Sequence, residues 1–521
     1  MKFEELNPAY DIVIIGGGVT GAGVLHHAVN MGLKALLVEA KDFAWGTSSR
    51  SSKMVHGGLR YLKEGKFLLT RLAVRERQRL LSVYPGLVTP LSFIMPIYKK
   101  RGPSKTAMKA GLSIYSFMAG NRQHEFFDRD TTLETVEGIQ QNDLVSAVGF
   151  KDAQVDDARL VLRLIFDACD RGGYALNYVR AEGIKRDSKG YAAAVQLKDA
   201  ATGREKEVKT KTVINATGAF AEKLHPSPVK GFHIRPLRGS HLVFPGNVYG
   251  LDRVISFIHP LDSRPVFIFP WEGCLVLGTT DVDHRADLSA EPCLDHQEAD
   301  YLMEGMRFVL PDLPLSLDDA IASIAGVRPV LSKNKKAASK ETREHVVWKD
   351  KGLVTVTGGK LTTFSLLAKD ALKAAAPSLP ETKPLELKTS VDTVSRLESL
   401  DDWDLTGEEQ LRLLGRYGAR AERLEYDKSI LKPIGNTHTL WAELVHSVRD
   451  EQVRHLEDLM LRRVRIGLFL PNGGMEIMDE IRKQVAPFID WDNEKWVNEI
   501  HEYQKLWEQS YSPKPWEVKH G

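Results

Sequence analysis

"YDIVIIGGGVTGAGVLHHAVNMGLKALLVEA", residues 10–40, is the stretch whose reading decides the fold. Ile12 to Ile15 form a short continuous apolar run, the pattern of a strand buried on both faces. Gly16-x-Gly18-x-x-Gly21 follows at once. Leu25, Ala28 and Val29 then give the next segment an apolar face, and Gly32 predicts the helix stop. "KALLVEA" supplies a second strand that ends at Glu39. Each part has a physical task. Gly16 permits the tight turn, Gly18 lets the backbone approach a pyrophosphate, and Gly21 lets the helix pack close to the strand. The helix N-terminus offers N–H groups and a positive dipole end to phosphates. Glu39, about 20 residues beyond the turn, is placed to accept from the ribose hydroxyls of an adenosine. A glycine-rich turn in some other α/β protein leaves that terminal acid unexplained. The stretch therefore reads as a dinucleotide-binding unit. A glutamate suits FAD or NAD and disfavours a 2′-phosphate.

The chain around this unit has 521 residues, enough for two or three domains at roughly 100–200 residues each. Hydrophobic residues make up 43% and charged residues 27%, which allows a large core. With 71 basic and 69 acidic residues the net charge is +2. Bulk charge thus gives no reason to expect nucleic acid, and affinity for an anion must come from a local cluster. Cys169, Cys274 and Cys293 lie far apart without C-x-x-C spacing, so a reducing compartment is expected rather than a disulfide framework or a zinc site. The sixteen histidines are scattered and none pairs with cysteine or carboxylate at ligand spacing, so no metal is expected. The start "MKFEELNPAYDIV" carries acids where a targeting peptide has none. The longest uncharged run, residues 12–33, holds six glycines, two histidines and an asparagine, and does not read as a membrane span. Surface attachment stays open.

Further along, residues 66–83 predict a charged amphipathic helix stopped by Pro85-Gly86. Residues 99–118 join a basic cluster to an apolar segment. In 154–173, Asp156 or Asp157 caps a helix ending near Gly172. Strand-like runs follow at 175–180 and 191–197, and "KTVINATGAFAEKL" enters a second tight turn at Ala216 to Gly218. The runs between 240 and 280 suggest an antiparallel sheet. "GLVTVTGGKLTTFSLLAKDALKAA" returns to strand, glycine turn and helix. The expected division is a discontinuous nucleotide-binding domain (1–90, 150–230 and 320–375), a substrate domain (91–149 and 231–319), a linker at 376–400, and a C-terminal helical domain at 401–521.

The fingerprint at the N-terminus, followed by "TSSRSSKMVHGGLRYL" at 47–62, resembles the flavoprotein oxidoreductases of the glutathione-reductase/D-amino-acid-oxidase fold. The implied class is α/β, with a Rossmann-like FAD-binding domain, an inserted antiparallel-sheet substrate domain and the helical domain. Almost end to end the chain resembles the FAD-dependent glycerol-3-phosphate dehydrogenases. The motifs that carry this are "VDDARLV" at 155–161, "NATG" at 215–218, "RGSHLVFP" at 238–245, "LGTTDVD" at 277–283, "GVRPV" at 326–330, "TGGKLTTF" at 357–364 and "VRDEQVRHLEDLMLRRVRIG" at 448–467. The resemblance implies oxidation of sn-glycerol 3-phosphate to dihydroxyacetone phosphate at FAD, with electrons passed to quinone. It implies that Gly16, Gly18, Gly21 and Glu39 hold the ADP half. Thr47, Ser48, Ser52 and His56 to Gly58 match the loop along the pyrophosphate and flavin. Gly218, and Gly358-Gly359 before Lys360, match turns at the cofactor. Arg60, Tyr61, His241, Arg328 and Lys360 match positions lining the substrate pocket.

The chemistry fits those residue types. A phosphate dianion needs several cations, an arginine fork among them, and Arg60, Arg328 and Lys360 supply three. The hydroxyl proton of C2 needs a base with a pKa near working pH, which favours histidine. His56 and His241 are both candidates, and sequence leaves the choice open. His56 could instead hold the cofactor, and His241 could be a buried core histidine. Arginine or lysine could share in stabilising a developing alkoxide, so Arg328 and Lys360 count as catalytic candidates too. Lys360, at a helix start, also suits the negative charge of reduced flavin. His26-His27 reads as structural. Quinone as acceptor requires contact with a bilayer. Segment 99–118 is the candidate for peripheral attachment, with Lys99, Lys100, Arg101, Lys105 and Lys109 beside Met108, Leu112, Tyr115 and Phe117. An ordinary packed helix is the competing reading. The expected location is cytoplasmic, on the inner face of the cell membrane, and a homodimer is compatible with the chain. An oxidase passing electrons to oxygen, or a related FAD oxidase of amines or 2-hydroxy acids, are the alternative functions.

Overall fold

The computed structural model describes residues 2–58, 65–99, 101–102, 104–119, 124–225, 233–246, 250–332, 345–384, 403–424 and 428–518. Ile12–Ile15 forms an inner strand of a six-stranded sheet. Its order is His345–Asp350, Leu353–Gly358, Val213–Asn215, Ile12–Ile15, Ala35–Val38, Tyr174–Leu176. All pairs are parallel except the first. Alternate side chains explain the unbroken apolar runs. Ile12, Ile14, Ala35 and Leu37 face a core shared with the helices Val19–Asn30, Asp157–Cys169 and Phe364–Ala375. Val13, Ile15, Leu36 and Val38 face the opposite core, under a three-stranded antiparallel sheet of 179–186, 192–199 and 205–209. With both faces covered, no position in these strands needs a polar residue.

The second large sheet has ten strands. It was expected to be antiparallel, and one pair corrects this: Arg253–Ile258 runs parallel to Val88–Tyr98. A second correction concerns the boundary at 320. Ala322–Ser332 pairs antiparallel with His233–Phe244 from Ala322↔Val243 to Ser332↔His233, so it belongs to this sheet, and the nucleotide sheet resumes only at His345. Apolar alternation marks a strand but carries no information about which sheet recruits it. One face packs on the helix His296–Val309. The other face shares a core with C-terminal residues such as Leu444, Leu459, Trp496 and Trp507. The C-terminal part is helical, with Gly407–Tyr417, Trp441–Asp450, Met478–Val485 and Asn493–Ser510 as its main helices. Most of the expected linker at 376–400 lies outside the described residues. Among the described residues no helix is long and apolar enough to cross a membrane.

Candidate active site

The glycine turn joins the first strand to the first helix. Gly16 has φ +113°, and a Cβ there would stand 2.6 Å from the Ala216 carbonyl oxygen. A Cβ on Gly21 would stand 1.9 Å from the Gly16 carbonyl oxygen, so only glycine lets the helix sit this close. Gly18 is the extended residue before the helix. Glu39 follows the second strand directly. Its Oε2 accepts from the Gly17 N–H at 2.6 Å and its Oε1 from the Lys41 N–H at 2.9 Å. Burial raises its pKa against the pull of those amides. Each oxygen keeps lone-pair capacity for a ribose hydroxyl.

The loop after this unit touches every wall of the site. Ser48 Oγ accepts from the Val19 N–H at the helix start, at 3.0 Å. Thr47 Oγ1 donates to the Val327 carbonyl, beside Arg328. Ser52 Oγ hydrogen-bonds His241 Nε2 at 2.8 Å. The His56 N–H donates to Thr362 Oγ1 at 3.2 Å, which ties the loop to the turn after Lys360. The Gly57 N–H donates to Asp152 Oδ1 at 3.1 Å. Gly58 has φ +80°. Arg60 and Tyr61 lie outside the described residues. On the far side, Gly358 and Gly359 have φ +82° and +77°. Thr357 Oγ1 donates to the Gly218 carbonyl at 3.0 Å, joining the two glycine turns. Lys360 precedes the single turn Leu361–Thr363 that opens the helix Phe364–Ala375.

His241 and Arg328 stand on neighbouring strands, with His241 opposite Ile324 and Leu237 opposite Arg328. Four positions along a strand put them on one face, roughly 13 Å apart. Arg328 Nη2 donates to Asp281 Oδ1 at 2.9 Å and to the Thr280 carbonyl at 3.2 Å. His241 is buried, and burial first, then Lys53, hold its pKa down to about 3. At neutral pH it is an uncharged imidazole and a weak base.

Sequence reasoning missed what stands behind the loop. Asp152 accepts from Gly57, from Arg77 Nη1 at 2.5 Å and from Tyr115 OH at 2.8 Å, all buried. Lys53 Nζ is buried between both oxygens of Asp157, at 2.8 and 2.9 Å, and the Ser49 carbonyl. Burial, then Arg465, lowers its pKa to about 8. The only signal in the chain was a lysine inside a serine-glycine loop. Of Asp156 and Asp157, both candidates for the helix cap, Asp156 fills that role by accepting from the Arg159 N–H, and Asp157 is the partner of Lys53.

Residues 11–371 match the family model of FAD dependent oxidoreductases, and residues 382–496 match the C-terminal domain of alpha-glycerophosphate oxidase. Glycerol-3-phosphate dehydrogenase 2 of Mycobacterium bovis is 33% identical over 92% of this chain and 85% of its own length. The aerobic glycerol-3-phosphate dehydrogenase of Staphylococcus haemolyticus is 30% identical over 94% and 93%. The chain belongs to the FAD-dependent glycerol-3-phosphate dehydrogenase family. Among solved structures, the Bacillus halodurans glycerol-3-phosphate dehydrogenase complexed with FAD overlays with a TM-score of 0.77 at 24% identity, covering 99% of this chain and 98% of that one. That likeness concerns the fold.

This family membership makes FAD the cofactor, and the residues present fit it. The turn admits no Cβ at Gly16 or Gly21, the helix N-terminus faces it, and a part-buried carboxylate follows the second strand. These features suit a pyrophosphate and a ribose. The segment 99–118, expected at a membrane surface or as a packed helix, is partly packed. In the helix Lys105–Ala119, Leu112 and Tyr115 are buried, Met108 packs against the same core, and the Tyr115 hydroxyl serves Asp152. Leu112, Tyr115 and Met108 thus belong to the loop scaffold, while Lys105, Lys109 and Ile114 on the same helix are exposed.

Proposed function

We propose that this chain oxidises sn-glycerol 3-phosphate to dihydroxyacetone phosphate. The observation that carries this reading is the meeting of the flavin loop with the substrate sheet at Ser52–His241, with Arg328 on the same face. FAD, when bound, supplies the two-electron acceptor. The protein's part is to bind, orient and move a proton. Arg328, held by Asp281, and Lys360 bind the phosphate dianion. His241 is too weak a base at neutral pH, so it orients Ser52. His56, half-buried in the loop, takes the hydroxyl proton of the substrate. Arg328 and Lys360 stabilise the developing alkoxide charge. The test is anaerobic addition of glycerol 3-phosphate, lactate and an amino acid to the yellow protein. Bleaching by glycerol 3-phosphate alone is expected; absence of bleaching by it refutes the reading.

Quinone is the proposed final acceptor, reached by peripheral attachment at a bilayer surface on the inner face of the membrane. What supports this is an exposed apolar edge beside cations. Phe67 and Leu68 are 50% and 70% exposed at the start of the helix Phe67–Val83, next to Lys66 and Arg71. That helix packs on Lys105–Ala119, where Ile114, Lys105 and Lys109 are exposed. Such an edge suits an anionic lipid surface. Phe67→Asp/Leu68→Asp should abolish co-sedimentation with phosphatidylglycerol vesicles while leaving bleaching intact. Unchanged sedimentation would move the attachment elsewhere.

A further inference from the structure

We propose that Arg465 is a positioning residue for the flavin loop: through Asp157, Lys53 and the Ser49 carbonyl, the C-terminal domain sets where Ser52 and His241 stand. The inference rests on the reading that this loop runs along FAD. The geometry is a hub without solvent. Arg465 Nη2 donates to the Ser49 carbonyl at 2.8 Å, and Lys53 Nζ donates to the same oxygen at 2.7 Å. Arg465 Nη1 reaches Asp157 Oδ1 at 3.1 Å and Asp156 Oδ1 at 3.3 Å. Asp157 Oδ2 in turn accepts from the Ser51 N–H at 2.8 Å and Ser51 Oγ at 2.7 Å. Ser52, the next residue, turns the other way, to His241. The Trp271 ring lies against both cations, 4.9 Å from Lys53 Nζ and 5.3 Å from the Arg465 guanidinium carbon.

Two further facts point to placement rather than to bulk stability. Lys53 and Arg465 both have positive φ, +57° and +67°, conformations that residues with a Cβ hold only where surroundings impose them. Lys53, Asp157 and Arg465 are fully buried, and a buried ionic cluster contributes little more to stability than apolar packing of the same volume. What the cluster supplies is direction. Ser51 is held by Asp157, which Arg465 holds in turn, and Ser52 by the substrate sheet, so the backbone between them has one position.

The variant Arg465→Met/Asp156→Asn removes one cation and one anion together, and Asn keeps the helix cap. In the FAD-loaded full chain, amide hydrogen exchange across residues 47–53 should quicken about tenfold or more. Flavin reduction by glycerol 3-phosphate, expressed per bound flavin, should slow about tenfold to a hundredfold, as expected for a small misplacement near the chemistry. Normalising to bound flavin removes any loss of folded protein. Arg465→Lys keeps the charge, loses the fork, and serves if the double variant does not fold. Wild-type exchange and a wild-type rate per bound flavin overturn the inference. Wild-type protein that is not bleached overturns the substrate reading, while the exchange measurement still decides the role of Arg465.

Discussion

In the proposed reaction three residues have separable roles. At Gly21 the contact is steric, because a Cβ would lie 1.9 Å from a carbonyl oxygen. Gly21→Ala should therefore leave the protein with little bound flavin, read from its visible absorbance after gel filtration; full flavin content would show that the turn can shift. Arg328 acts by charge. Arg328→Ala should raise KM for glycerol 3-phosphate by about tenfold or more, the loss of a charge-assisted contact, with FAD affinity unchanged. An unchanged KM would remove it from the pocket. His241 acts while neutral, since burial keeps its pKa near 3. His241→Gln should then lower the rate without moving the acidic limb of the kcat/KM profile, whereas His56→Gln should remove that limb. A limb that disappears with His241 instead would exchange the two roles.

Elements meet the site through single atoms. Gly57 shows this best: a Cβ there would stand 2.1 Å from the Tyr115 hydroxyl and 2.6 Å from Val74 Cγ2. Two helices thus lie directly behind the flavin loop. Tyr115→Phe removes one donor to Asp152 but leaves Arg77 and Gly57, and should lower stability by about 1 kcal/mol. Gly57→Ala should destabilise by more, because helix and loop must part. Equal melting temperatures for the two variants would contradict this packing. At this scale the helices 67–83 and 157–169 were legible from periodicity and capping. The strand 322–332 and its pairing with 233–244 were not read from the sequence. For the helix at 105–119 the sequence left two readings open, because a mixed basic and apolar segment looks the same against a protein core as against lipid.

Across the whole molecule, buried ion pairs tie the C-terminal domain to the rest. Arg463 and Arg462 grip Asp42, Arg159 grips Glu451, and Arg416 grips Asp156 and Glu443. Burial alone would raise the pKa values of Asp156, Glu443 and Glu451, but the arginines opposite outweigh it and hold each at about 2. In the unfolded chain these groups titrate near 4. Their stabilising contribution is complete above about pH 4.5 and is lost as pH falls toward 2. His26 and His241, held near 4 and 3 by burial, add to the same trend below about pH 6.5. Glu39, raised by burial, opposes it. The melting temperature should therefore fall steeply from pH 6 to pH 3, and a flat profile would refute the assignment. The sequence by itself determined the dinucleotide-binding unit, because glycine spacing, a terminal acid and apolar runs are local and follow from backbone sterics, and its motifs carried the resemblance that implied FAD and the family. Only the tertiary structure decided that Lys53 and Asp157 pair behind the flavin loop, that Arg465 reaches them from about 300 residues away, and that Ser52 stands on His241. Those contacts join elements distant along the chain, and a charged residue has the same letter whether water or a buried partner balances it.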